Sequence, residues 1–395
     1  MSLKIKLGGK VKKKTCGWLN SKVRGGIQIL NDGIWPCCGP SKSLYEEENL
    51  DYSKISIEEL IEKRRQLQKD IADGKACVGC DQIIECEEEN IEVGKINYLS
   101  IGQFSTCNLR CRYCYFTHEQ LGKKILPERK YLLPFVSKLW NEGFLKDNVE
   151  MGVAGGEPTL LQDIPETCRF LEENCKNPTV ILLSNSSIEK RTKEITNAFK
   201  DLKKIKRNLY TSIDAGTRDT YKNVRGKDLY ETVCKNLISY AKNNTFNAIA
   251  LKYILLLDHS NTSDEDIFGF LDLFSNVLLH QKGNMALTID CDMLSKKEFD
   301  EPMVAAAGKL HYVAEKLFRV PIVYAGGGLV LHNKKALARI HKLEDYSNNY
   351  KKMPKTMYEK FMLFKLSLKT RLYHIKKNYM LLKKVCKFIR IINRK

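Results

Sequence analysis

The stretch INYLSIGQFSTCNLRCRYCYF, residues 96–116, runs from a strand-like segment directly into three cysteines, Cys107, Cys111 and Cys114. The spacing between them is three residues, then two. Thiolates are soft ligands that suit iron–sulfur clusters, zinc or copper(I). A structural zinc site takes four closed ligands. Three cysteines on one tight loop leave a coordination position open to a small molecule. The loop also follows a predicted strand, and parallel βα folds bind their ligands at such strand ends.

Outward from this loop, strand-like and helix-like segments alternate. Strands are predicted at 96–102, 148–155, 179–185, 208–214, 247–257, 285–291 and 320–326. Helical patterns fall near 127–143, 163–174, 188–202, 217–243, 264–280 and 301–317. This alternation predicts a parallel sheet with right-handed crossovers, either a barrel or a doubly wound sheet. A further helix is predicted from Ser56, through Ile57, Leu60, Ile61, Leu67 and Ile71, to Gly74.

The chain has 395 residues, 43% of them hydrophobic, enough to bury a sizeable core. No apolar run is long enough to span a membrane. The opening MSLKIKLGGKVKKK has no apolar core after its basic residues, so no secretory signal is expected and the cytoplasm is the default compartment. Fourteen cysteines are present, nine of them between residues 16 and 114. Clustering of that kind in a reducing compartment points to metal or cluster ligation. The net charge is +19, but residues 351–395 hold fifteen Lys or Arg and one acid, Glu359. The remainder is close to balanced and does not read as a nucleic-acid-binding body.

C-x3-C-x2-C with an aromatic residue, Tyr113, before the last cysteine resembles the signature of the radical S-adenosylmethionine (SAM) enzymes. Two later segments fit the same resemblance. AGGEP (154–158) ends the second predicted strand, where glycines permit close backbone approach and Glu157 can balance an ammonium. SIDAGTRDTYKNVRG (212–226) ends the fourth, and LLSNSS (182–187) the third. The resemblance covers roughly residues 95–318 and implies a partial (β/α)6 parallel barrel, an α/β fold. It implies that Cys107, Cys111 and Cys114 hold a [4Fe–4S] cluster. It further implies that Tyr113, Gly155, Gly156, Glu157, Asn185, Ser212 and Arg225 bind the cluster-associated SAM. The implied reaction is reductive cleavage of SAM to a 5′-deoxyadenosyl radical, which abstracts hydrogen from a substrate. An electron donor such as flavodoxin or ferredoxin is implied as partner.

The N-terminal cysteines form a second constellation. Asn31-Asp32-Gly33 between strand-like runs predicts a hairpin that delivers Cys37 and Cys38 to a strand end. Cys77 and Cys80 form a C-x2-C knuckle, with Cys86 six residues on. With Cys16 these resemble the SPASM/twitch auxiliary-cluster module of radical SAM enzymes, although that module ordinarily follows the barrel. The resemblance implies a second [4Fe–4S] cluster with Cys16, Cys38, Cys77 and Cys80 as leading ligands and Cys37 and Cys86 in reserve. Zinc in the same thiolates is the alternative. The expected organisation is a cysteine-rich α+β module at 1–94, the radical SAM core at 95–330 and a basic amphipathic helical tail at 331–395.

Of the remaining cysteines, Cys168 and Cys175 read as buried small hydrophobes. Cys291 ends a predicted strand beside Asp290 and is a candidate hydrogen donor to a substrate radical, set against a packed thiol. In the tail, Phe361, Phe364, Leu368, Leu372, Ile375, Tyr379, Leu382, Cys386 and Ile389 form one apolar stripe with lysines between. It either packs on the body or lies on a membrane surface, which would place the chain at the inner membrane face. Three function classes are carried forward. The first is a radical SAM enzyme acting on a small molecule, a sugar or glycan, or a peptide, with the auxiliary cluster assisting electron transfer. The second is a cluster- or zinc-stabilised binding module tethered by its tail. The third is a radical methyltransferase.

Overall fold

The computed structural model describes residues 12–30, 33–37, 43–46, 54–80, 82–102, 104–114, 131–292, 300–324 and 334–392, with side chains at 334–339 and 379–392 left aside. Two compact units emerge, one of residues 1–107, 124–183 and 198–207, the other of residues 108–123, 184–197 and 208–395.

The first unit begins with β1 (Lys12–Cys16), β2 (Gly26–Leu30), β3 (Gly33–Trp35), β4 (Tyr45–Glu46), α1 (Ile57–Ala72) and β5 (Ile83–Glu87). It continues with β6 (Ile96–Gly102), α2 (Leu133–Asn141), β7 (Leu145–Val153), α3 (Ile164–Asn174) and β8 (Thr179–Leu183). Strands β6, β7 and β8 are parallel neighbours, as the βα alternation predicts. The N-terminal hairpin joins the same sheet, because β2 runs parallel to β6 while β3 turns back on β2. Gly33 lets β4 pair closely along β3, since a Cβ there would stand 1.9 Å from the Tyr45 carbonyl oxygen. β1 and β5 form a separate antiparallel pair.

Helix α1 starts where Ser56 accepts a hydrogen bond from the Glu59 N–H at 3.2 Å. Ile57, Leu60 and Ile71 turn inward, and so does Arg64. Its buried guanidinium donates to the carbonyls of Leu19, Gly26 and Val93 at 2.8, 2.7 and 3.1 Å. Burial lowers its pKa to about 9, which still leaves a cation at neutral pH. Removing this side chain would orphan three carbonyls at once, so it acts as the fastener of the cysteine-rich segment.

Around the second unit lie α4 (Glu189–Phe199), β9 (Lys206–Ser212), α5 (Arg218–Arg225), α6 (Tyr230–Asn243), β10 (Ala248–Leu255) and α7 (Asp264–Leu278). Then come β11 (Asn284–Cys291), α8 (Glu301–Tyr312), a π-helical turn (Val313–Phe318), β12 (Ile322–Tyr324), α9 (Lys334–Tyr350) and α10 (Met357–Ile392). Strands β9, β10, β11 and β12 are parallel neighbours in that order. The single helix expected over 217–243 is two helices. Gly226 breaks it, at φ 75°, where a Cβ would stand 2.5 Å from the Arg110 carbonyl oxygen.

Strand alternation sorts the side chains of β9–β11 onto two faces. Leu209, Leu251, Tyr253, Leu287 and Ile289 are buried on one, and Tyr253 meets Phe270 of α7 edge-on at 4.9 Å. Ser212, Lys252, Thr288 and Asp290 carry the other. A polar face opposite the helices is what a parallel βα fold needs at its ligand-binding side.

Helix α10 runs unbroken and docks on α7 with Met362, Leu366 and Thr370 buried. The sequence left open whether the stripe Phe361, Phe364, Leu368, Leu372 and Ile375 packs on the body. Those five residues face solvent instead. The body-facing side was hidden in the sequence because it mixes apolar and hydroxyl residues. Tyr379, Leu382, Cys386 and Ile389 lie outside the described side chains.

Candidate cofactor site

Cys107, Cys111 and Cys114 are half-buried reduced thiols. In the first unit, the AGGEP turn is laced to the backbone that leads into Cys107. Ala154 N–H donates to the Ile101 carbonyl at 2.7 Å, Gly156 to Phe104 at 2.9 Å and Glu157 to Thr106 at 2.8 Å. A Cβ on Gly155 would sit 2.4 Å from the Phe104 oxygen, and one on Gly156 2.1 Å from the Thr106 oxygen. Only glycine allows this approach. Glu157 is buried, and its Oε1 accepts from the Thr159 N–H at 3.0 Å and hydroxyl at 2.6 Å. It caps the short turn Pro158–Leu160.

In the second unit, the cysteine loop is held by backbone and side chains together. Arg110 N–H donates to the Arg225 carbonyl at 3.1 Å and Arg112 N–H to Val224 at 3.0 Å. Asn185 donates to the Asn108 Oδ1 at 2.9 Å, while Asn108 donates to the Ser187 hydroxyl at 2.7 Å. Arg112 pairs with Asp258 at 2.5 Å. Below the loop, Tyr113 donates its hydroxyl hydrogen to Asp214, and Arg225 donates to both. The Arg225–Asp214 contact is 2.9 Å, and Asp214 Oδ1 accepts from the Ile254 N–H at 2.7 Å. Burial raises the Asp214 carboxyl against the pull of Arg225. Burial also opposes the Arg225 charge, but the fields of Tyr113, Cys111 and Asp214 outweigh it and raise its pKa. The Arg225 guanidinium therefore stays charged within electrostatic reach of Cys111, which suits an anionic cluster.

Ser212 stands directly opposite Lys252 in the β9–β10 register. Lys252 Nζ lies 2.5 Å from Asp290 Oδ2, and burial raises the Asp290 carboxyl while Lys252 lowers it. Cys291 is buried and shares the parity of Leu287 and Ile289, the helix-packed face. Asn108, Asp214, Lys252 and Asp290 were not among the residues singled out for cofactor binding or catalysis. Lys252 was discoverable as the lone charge inside the apolar run AIALKYIL.

Four N-terminal thiols gather on one patch. Cys16 packs with Trp18, Leu19 and Ile71, and Cys37 and Cys77 pack against that group. Cys80 N–H donates to the Cys77 carbonyl at 3.1 Å, closing the knuckle turn. Burial raises the Cys16 thiol, and Cys37 and Cys80 raise it further. Cys77 is raised by burial and then by Cys16, Cys37 and Cys80. Cys86 is placed differently, because Cys16 pairs with Ile83 and Cys86 pairs with Lys13. It lies three positions along, about 10 Å away, on the opposite face of the strand pair. Cys38 lies outside the described residues. Among the described residues, no three His, Cys, Asp or Glu side chains already stand close enough to hold a metal ion.

Comparison with known families matches residues 103–272 to the radical SAM superfamily. Among curated proteins, an S-adenosylmethionine-dependent nucleotide dehydratase of Lacinutrix mariniflava is 30% identical over 131 residues, 32% of this chain and 26% of that protein. A probable GTP 3′,8-cyclase of Saccharolobus islandicus is 24% identical over 196 residues, 49% of this chain and 58% of that protein. The chain thus spans about a quarter of the first relative and somewhat over half of the second. Among solved structures, Streptococcus suis SuiB bound to precursor peptide SuiA matches with TM-score 0.41 at 16% identity, over 73% of this chain and 58% of that one.

Proposed function

We propose that this chain, whose residues 103–272 match the radical SAM superfamily, is an enzyme that cleaves S-adenosylmethionine reductively and abstracts hydrogen from a bound substrate. The observation that carries this reading is the Cys107–Cys111–Cys114 loop with the AGGEP turn bonded to the backbone leading into it. When bound, a [4Fe–4S] cluster on those three thiolates supplies the reducing electron and an open iron for the amino and carboxylate groups of SAM.

The protein's own residues have distinct tasks in this scheme. Gly155 and Gly156 keep side chains out of the turn so that its backbone can meet the methionine end of SAM. Glu157 holds that turn in shape through Thr159 and presents a buried carboxylate to an ammonium. Asn185 steadies the cysteine loop through Asn108. Arg225, fixed by Asp214 and Tyr113, sets a positive field at Cys111. Ser212 marks the polar sheet face on which SAM and substrate would lie.

Lys252 and Asp290 on that face offer a donor and an acceptor to a hydroxylated substrate, which favours a sugar or glycan. We therefore assign the substrate-facing role at the end of β11 to Asp290, and to Cys291 a packing role. Cys16, Cys37, Cys77 and Cys80 are proposed as ligands of the auxiliary cluster, since Cys37 and Cys77 pack against the group around Cys16 and the knuckle turn holds Cys80 within their electrostatic reach. Arg64 supplies a buried cation beside Cys16. A flavodoxin- or ferredoxin-type donor would deliver the electron.

The test is anaerobic reconstitution with iron and sulfide, then an assay for 5′-deoxyadenosine from SAM under reduction. The wild-type chain is expected to form it and the Cys111→Ala variant to lose it. A chain that binds iron but never cleaves SAM under strong reduction would remove the enzymatic reading.

A further inference from the structure

Helix α10 carries an apolar face that nothing among the described residues covers. Met357, Phe361, Phe364, Leu368, Leu372 and Ile375 recur at helical steps and are 50–87% exposed. They extend about 27 Å along one side of the helix. Met362, Leu366 and Thr370 on the other side are buried, so the helix has two separate working faces. A contiguous exposed apolar stripe of this kind marks an interaction surface.

Beside the stripe lies a pocket of about 460 Å³ between α10 and the π-helical turn, and Ile375 belongs to both. Lys316, Arg319, Arg371 and His374 line it together with Ser367 and Thr370, and no carboxylate does. Lys316 is paired with Glu315 at 2.8 Å. Arg319 and Arg371 have no carboxylate partner among the described residues. His374 Nε2 is buried without a hydrogen-bond partner. Two guanidinium groups, the Ser367 hydroxyl and an unsatisfied ring nitrogen together fit a phosphate group.

We propose that this face of α10 docks on a membrane of anionic phospholipid. The apolar stripe enters the acyl boundary, and a lipid phosphate occupies the pocket between Arg319, Arg371 and His374. Charge selects this occupant. Residues 351–395 carry fifteen basic residues and one acid, so two such faces would repel each other while a negative bilayer attracts them. The helix lies on the surface, since among the described residues no helix is long and apolar enough to cross a membrane. The inference is independent of the SAM chemistry and stands or falls without it.

Vesicle flotation of the full chain tests it, with phosphatidylcholine vesicles and with mixed phosphatidylglycerol–phosphatidylcholine vesicles. The chain is expected to float with the anionic vesicles and about tenfold less with neutral ones. Serine at Phe361, Phe364 and Leu368 together should cut anionic binding about tenfold or more. The pair Arg319→Asn and Arg371→Gln should cut it by about the same factor, Asn being able to keep the left-handed backbone of Arg319. All of these positions are exposed or line the pocket, so melting curves should stay at the wild-type value. Equal binding by the serine variant would overturn the docking face, and equal binding by the arginine pair would overturn the phosphate pocket. A stable dimer that the serine substitutions dissociate, with no vesicle binding by the wild type, would overturn the proposal in favour of a second copy.

Discussion

Asp214 accepts from Tyr113, from Arg225 and from the Ile254 N–H, and it is fully buried. It follows Ser212 by two residues, and nothing local announces that its carboxylate anchors an arginine eleven positions later. The sequence made the three loop cysteines legible because their spacing is itself the chemistry. It could not make Asp214 legible, because its partner is fixed by tertiary packing. Asp214→Asn would leave the Arg225 charge buried and uncompensated, a loss of about 3 kcal/mol. Urea midpoints of the two proteins should show it, and an unchanged midpoint would mean that Arg225 finds another counter-charge. At the same scale, Cys291 was legible as a strand-end thiol, but only its register beside Leu255 reveals which way it turns.

Helix α10 starts on a reciprocal cap. Thr356 N–H donates to Glu359 Oε2 at 2.8 Å, and Glu359 N–H donates to the Thr356 hydroxyl at 3.1 Å. Glu359 is the lone acid of the segment, and it also accepts from Tyr350 at 2.9 Å and pairs with Lys309 at 3.1 Å. Burial would raise its carboxyl, but the Thr356 N–H, Lys309 and Tyr350 hold it below the ordinary glutamate value. A carboxyl lowered by folding stabilises the fold above its unfolded pKa and loses that contribution as pH falls through the folded one. Glu359→Gln should therefore cost about 2 kcal/mol at neutral pH, with the gap to wild type closing under acid. Chemical denaturation at several pH values would check this, and a gap independent of pH would contradict it. Among elements, the strands of the βα body were legible from their apolar runs, and β6 falls where it was expected. The pair β1–β5 was not, because KKKTC has no apolar alternation and its partner lies some seventy residues away. The break between α5 and α6 was missed because a glycine inside a helical pattern is tolerated as often as it terminates one.

For the whole molecule, the parity of the β1–β5 pair becomes a count of iron. With two clusters, about eight irons per chain are expected after reconstitution. Cys16→Ala combined with Cys37→Ala should lower this to about four while the Cys107–Cys111–Cys114 centre remains, and Cys86→Ala should leave about eight. A drop with Cys86→Ala as large as with the pair would show that the ligand set had been drawn wrongly, and zinc in place of the missing iron would assign the N-terminal site to that metal. The clustering of cysteines was plain in the sequence. Which of Cys37, Cys38 and Cys86 joins Cys16 was not, since that depends on which strand edge each one reaches, and Cys38, expected as a leading ligand, lies outside the described residues.

Charge and cover in α10 also bear on how the protein can be handled. A version trimmed after Tyr350 keeps every proposed cluster ligand, yet it removes Glu359 from beside Lys309 and takes Tyr358 off the edge of Phe268. It also strips Lys369 from Asp272 and Asn276 on α7. The shortened chain would be less basic and at the same time stickier, so the segment that looks most like a dispensable extension is the one whose removal should send the protein into inclusion bodies.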